Sequence, residues 1–79
     1  MNKLFTVEVS EDLVEIHLND EGIDFLINRL SLLKKSRNNK HEHLMTPDWG
    51  GNEITNIKQN MDDKAKLVHH LKLAYWVKD

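Results

Sequence analysis

Hydrophobic and polar residues alternate twice near the start of the chain. Phe5, Val7 and Val9 alternate with Thr6 and Glu8; Val14, Ile16 and Leu18 alternate with Glu15 and His17. A period of two marks a strand with one buried face. Ser10-Glu11-Asp12 between the runs is short and polar, so the pair reads as a β-hairpin. Thr6, Glu8, Glu15 and His17 are expected on its outward, solvent-facing side.

The period then changes. Ile23, Leu26, Ile27, Leu30 and Leu33 recur at spacings of three and four, one stripe of an α-helix, which Phe25 and Leu32 widen. Leu30 is therefore expected on the buried side. Asn19 suits the N-cap, because its side-chain oxygen can accept a first-turn amide. Asp20 and Glu21 then sit at the positive end of the helix dipole, and Lys34 and Lys35 at the negative end. Ser36-Arg37-Asn38-Asn39 ends the helix.

Residues 41–46 read as a third strand, stopped by Pro47, which has no amide to donate. Asp48-Trp49-Gly50-Gly51-Asn52 is a turn. Leu71, Leu73, Tyr75 and Val77 alternate with Lys72, Ala74 and Trp76, so 67–77 read as a last strand, central in the sheet. Residues 47–66 are too many for a structureless loop in a small domain. Ile54, Ile57 and Met61 are expected to anchor them, through a helical turn or a short strand. The fold class that follows is α+β. One domain spans 1–79, with a four-stranded, mainly antiparallel sheet and one helix on one face, in ββαββ order. The second face stays open to water or to a partner.

Composition narrows the classes. At 79 residues the core is thin, but Val, Ile, Leu and Phe supply 23 of them. That exceeds the roughly 20% below which a charged chain stays disordered. Without cysteine there is neither a disulfide nor a thiolate-held metal. No apolar run approaches the ~18 residues of a membrane span. The first residues lack an apolar signal core, so a cytoplasmic location is expected. A net charge of −2 gives no basic field for nucleic acid. The acids are nevertheless concentrated: residues 1–24 hold seven against one lysine, and 25–40 hold five bases and no acid. This suits the helix dipole. It also leaves Glu8, Glu11, Asp12 and Glu15 as an acidic patch able to meet a partner.

Catalytic signatures are missing. Ser10, Ser31 and Ser36 lie outside any G-x-S-x-G context. Gly50-Gly51 is not followed by a phosphate-loop pattern. The adjacent acids Glu11/Asp12 and Asp62/Asp63 suit solvated turns better than an acid–base dyad. The five histidines raise a metal site: His41 and His43 share one strand face, and His17 and His70 could approach them. A polar open face is the simpler reading, so no catalytic residue, metal or cofactor is assigned. Trp49 before two glycines is either a structural corner, with the indole capping the core, or a partner-contact anchor; the structural corner is preferred.

His43-Leu44-Met45-Thr46-Pro47-Asp48-Trp49-Gly50-Gly51-Asn52-Glu53-Ile54 resembles the H-L-M-T-x-x-W-G-G-x-E-L signature of the immunity protein 32 family. Residues 17–26 are similar to its strand-to-helix junction. Asn60 and His70-Leu71-Lys72 through Tyr75-Trp76 resemble its late N-x-D and H-L-K-I-Y-x-W pattern. Ile54 replaces leucine, and Leu73-Ala74 before Tyr75 matches more loosely. The resemblance spans about residues 5–77. It implies a small α+β protein of a bacterial polymorphic toxin system, not an enzyme, that binds a cognate toxin domain and neutralises it by occlusion. Partner-contact candidates are Glu8, Glu11, Asp12 and Glu15 on the hairpin, and His43, Trp49, His70 and Trp76 on the open side. The alternative is a structural or regulatory binding module, homodimeric through the open sheet face.

Overall fold

The computed structural model describes residues 2–78; Met1 and Asp79, the ends of the expected 1–79 domain, lie outside the described residues. The fold is α+β, with one helix and antiparallel strands in two sheets. Strands β1 (Phe5–Ser10) and β2 (Leu13–Leu18) form the expected hairpin. Their register runs unbroken from Ser10↔Leu13 to Phe5↔Leu18. Glu11 and Asp12 make the turn, with Glu11 at φ 52°.

Helix α1 (Asp20–Ser36) begins where its polar residues place it. The Asn19 carbonyl oxygen Oδ1 accepts the Gly22 amide at 2.9 Å and the Leu4 amide at 2.9 Å. One side chain thus caps the helix and pins the residue before β1. Arg37, left-handed at φ 58°, ends it. Strand β3 (Lys40–Met45) follows, then a 3-10 turn at Pro47–Trp49, β4 (Lys66–Leu67) and β5 (His70–Tyr75).

The expected last strand is divided. β4 pairs with β1, whereas β5 pairs with β3. At the break, the Val68 amide donates to the Val7 carbonyl at 2.8 Å, and the His69 carbonyl accepts the Thr46 amide at 3.0 Å. Residues 66–75 therefore do run between β1 and β3, but they bond to one neighbour with each half. The result is two sheets, ordered β2-β1-β4 and β3-β5, in place of one four-stranded sheet.

Phe5, Val7, Leu44 and Ile54 form the buried core, with Leu18, Phe25, Leu26, Val68, Leu71 and Leu73 packed on it. Phe25 meets Phe5 edge to face, centroids 6.2 Å apart. The helix turns Gly22, Leu26 and Leu33 inward. Leu30 is 48% exposed, and Ile23 and Ile27 are exposed beside it, contrary to the expected burial of the whole stripe. The apolar arc of this helix is wider than the sheet beneath it. On its opposite flank Arg29 Nη1 reaches Glu42 Oε1 of β3 at 3.1 Å, so α1 leans toward β3.

The outward face of the hairpin also differs from expectation, because residues 55–60 lie across it. Thr6 is fully buried; its hydroxyl donates to the Ile57 carbonyl at 2.9 Å and is 2.6 Å from Thr55 Oγ1. The Thr55 amide donates to the Phe5 carbonyl at 2.7 Å. Of the three expected anchors Ile54 alone enters the core, while Ile57 and Met61 are exposed; Ala65, which was not expected, is also buried. The 3-10 turn at Pro47–Trp49 is the expected helical turn of this stretch; the described residues 50–65 form neither helix nor strand, and polar groups hold much of them. No helix among the described residues is long and apolar enough to cross a membrane.

Candidate partner-binding face

Alternation on β3 and β5 sorts their side chains into two sets. Glu42, Leu44, Leu71, Leu73 and Tyr75 are buried or half-buried, while His41, His43, His70, Lys72 and Ala74 are exposed. The register sets His43 opposite Lys72 and His41 opposite Ala74. His43 Nδ1 and His70 Nε2 lie 2.7 Å apart, a hydrogen bond in which one ring donates and the other accepts. His41 meets the edge of the His43 ring at 4.8 Å between centroids. The pKa of His43 is lowered, first by desolvation under these neighbours and then by the charges of His41, His70 and Lys72.

Both indoles flank this face. Trp49 stacks on His69, rings 6° from parallel at 6.1 Å, and tilts against His70 at 6.0 Å. It is 59% exposed and does not cap the core, so that part of the sequence reading is corrected. Trp76 is 65% exposed. With Asn39, Lys40, His41, Lys72, Ala74 and Tyr75 it lines a cleft of about 120 Å³.

The corner that carries Trp49 is held by its own motif. Thr46 is fully buried; its Oγ1 is 2.8 Å from His69 Nδ1, and its carbonyl accepts the amides of Trp49 at 2.9 Å and Gly51 at 3.0 Å. Gly50, at φ +88°, lets the chain reverse. Gly51 passes so close to β3 that a Cβ would stand 2.6 Å from the Met45 carbonyl oxygen. Glu53 Oε1 accepts the Met45 amide at 3.0 Å, and the Ile54 amide donates to the Met45 carbonyl at 3.4 Å. Lys3 Nζ donates to the carbonyls of Glu53 at 2.6 Å and Asn52 at 3.0 Å. Hydrogen bonds hold the corner, but its indole is exposed and does not cap the core as the preferred reading had it. Glu53 and Lys3 were not singled out from the sequence; a lone acid in a polar turn gives no periodic signal.

The acidic candidates separate. Glu11 and Asp12 are exposed at the hairpin turn. Glu8 is 1% exposed and cannot form part of an outward patch, which corrects the sequence reading. Its Oε2 accepts the amides of Gln59 at 2.8 Å and Asn60 at 3.1 Å, with Lys58 Nζ 3.8 Å from Oε1. Burial alone would raise its pKa; these backbone hydrogen bonds, aided by Lys58 and His17, outweigh that and lower it. Glu15, half-buried, accepts from Asn60 Nδ2 at 3.2 Å and is 3.0 Å from His17 Nε2. His17 therefore stays with the hairpin acids, while His70 does approach His43.

Among the described residues, Glu8, Glu15 and His17 bring three ligand-type atoms within 4.8 Å of one another. Two backbone amides and a nearby ammonium already engage Glu8, which favours a structural clasp over a cation site. No protein-family model, curated protein or solved structure matches this chain.

Proposed function

We propose that this chain is a non-catalytic binding protein that neutralises a cognate bacterial toxin by covering it, in the cytoplasm of the cell that makes it. One observation carries the reading: the outer face of β3 and β5 presents two exposed indoles, Trp49 and Trp76, beside an imidazole cluster and Lys72. Exposed aromatics with large rigid surfaces are the side chains that most often anchor a protein interface. Trp49 is presented on a corner tied down by hydrogen bonds, so little ordering accompanies binding. The resemblance of residues 43–54 to the immunity protein 32 signature supports the same reading. Glu11 and Asp12 remain as exposed acids that steer a basic partner.

The test is a search for a toxin-like reading frame beside the gene and co-expression with it; a gene without such a neighbour counts against the proposal. The wild-type chain is expected to restore growth and to co-purify with the toxin domain. A Trp49→Ala/Trp76→Ala variant should keep its fold by circular dichroism and lose both effects. Failure of the wild-type chain to protect, or full protection by the folded double variant, refutes the proposal.

A further inference from the structure

The free edge of β2 carries a second message. β2 is the outer strand of its sheet, six residues long and paired to β1 without a bulge. Natural edge strands are guarded by charged side chains, above all lysine, by proline or by bulges. The strand Leu13-Val14-Glu15-Ile16-His17-Leu18 has no lysine, proline or bulge, and its one carboxylate, Glu15, is engaged by Asn60 and His17. Phe5 and Val7 turn their carbonyls away from β2, toward the amides of Thr55 and Val68. Antiparallel pairs alternate between bonded and non-bonded. Ile16 and Leu18, which stand opposite Val7 and Phe5, therefore direct their own N–H and C=O groups to the free edge.

Beside that edge lies uncovered apolar surface. Leu13, Val14 and Ile16 of β2 are exposed, as are Ile23, Ile27 and Leu30 on one flank of α1. Arg29 reaches β3 from the other flank, which puts the Ile23–Ile27–Leu30 flank on the β2 side. Leu13 lies on the other face of β2; the remaining five expose on the order of 400 Å² of apolar surface, within the roughly 300–600 Å² of the largest patch on ordinary monomers. A standard interface buries about 800 Å² per partner, and a homodimer interface is about 65% apolar. The five side chains supply most of the apolar share of such an interface, and the unpaired edge of β2 supplies polar backbone beside them.

We infer that two copies of this chain pair through β2, antiparallel about a twofold axis at Ile16, extending the sheet across both. Side-chain complementarity selects the register. With Ile16 opposite Ile16 of the partner copy, Glu15 faces the partner's His17, and Val14 faces the partner's Leu18. A register centred on Glu15 would oppose two carboxylates, which is unfavourable. The open β3–β5 face is a poorer self-contact, because Lys72 and three imidazoles would meet copies of themselves. A twofold contact uses the same patch on both chains, as here. The dimer is independent of the toxin reading, and it leaves Trp49 and Trp76 free in each copy.

The chain has no cysteine, so an introduced thiol can pair only with its own copy. A bonded antiparallel pair places its Cα atoms about 5.5 Å apart, inside the range a disulfide spans. Light scattering of the wild-type chain should give twice the 9.3 kDa chain mass. Ile16→Cys should give a disulfide-linked dimer on mild oxidation. Ile16→Lys, at a residue already 46% exposed, should keep its circular dichroism spectrum and weaken association by roughly 100-fold or more, because like charges meet at the axis. A wild-type chain that stays monomeric at high concentration overturns the inference. So does a dimer that survives Ile16→Lys, or one that cross-links through Glu15→Cys or Lys72→Cys in place of Ile16→Cys.

Discussion

Glu8 and Glu15 stand directly opposite each other in the β1–β2 ladder, two acids on one face of a hairpin. Left alone, like charges so placed destabilise the pair. Here Asn60 joins them: its backbone amide donates to Glu8 and its side-chain amide to Glu15. His17, 3.7 Å from Glu8 and 3.0 Å from Glu15, adds a partner to both. The acids that looked like a docking surface are instead a clasp holding residues 57–60 over the sheet.

Removing the clasp should loosen the fold. Glu8→Ala leaves the amides of Gln59 and Asn60 without their acceptor, at a cost of about 1–3 kcal/mol. The pH dependence follows from its lowered pKa. The unfolded chain binds the proton more readily than the folded one. The stabilisation is therefore complete above the ordinary glutamate value, about 4.3, and is lost as pH falls through the lower folded value. Urea midpoints measured from neutral to acid pH should fall for the wild type, and more shallowly for Glu8→Gln.

The two sides of the core predict opposite outcomes for one substitution. Leu44, 1% exposed among Phe5, Val7 and Ile54, should cost about 2–5 kcal/mol as Leu44→Ala. Leu30→Ala removes a half-exposed side chain and should cost under about 1 kcal/mol in dilute, monomeric protein. Equal shifts in the denaturation midpoint would mean that α1 is seated on a different face.

At the motif corner, space and backbone conformation can be tested separately. Gly50→Ala meets no atom within 4 Å and is strained only by its positive φ, a penalty of about 1 kcal/mol. Gly51→Val drives a branched side chain into the Met45 carbonyl and should lower the melting temperature more. A smaller loss at Gly51 than at Gly50 would contradict the close approach to β3.

His43 should titrate below the ordinary histidine value of about 6.5, as read from its ring proton shifts by NMR. Its crowded site disfavours the imidazolium. Below that value the unfolded chain takes up the proton more readily, so the fold weakens as pH falls through the histidine range. His41→Ala removes a neighbouring charge and should move the His43 titration upward; no movement would show that the His41 contact is not made in solution.

The hairpin, the helix and its cap, and the corner after Pro47 were legible in the sequence because each is local. Strand alternation, the three-and-four spacing of 23–33 and the Asn19 oxygen act over a few residues and need no distant partner. What lies over each face was not legible. Thr6 and Glu8 read as outward because alternation reports two sides, not what covers them. The covering comes from residues 55–60, about fifty positions away, through hydrogen bonds that leave no period in the chain. The helix stripe likewise announced its apolar arc but not the width of the sheet beneath it, so the exposure of Leu30 followed only from the lean of α1 toward Glu42. The approach of His43 to His70 required the pairing of β3 with β5, two strands that the sequence could place on the chain but not beside each other. Local elements follow from short-range sterics and periodicity, whereas burial and juxtaposition depend on which distant segments close over them. Only the tertiary structure decided those.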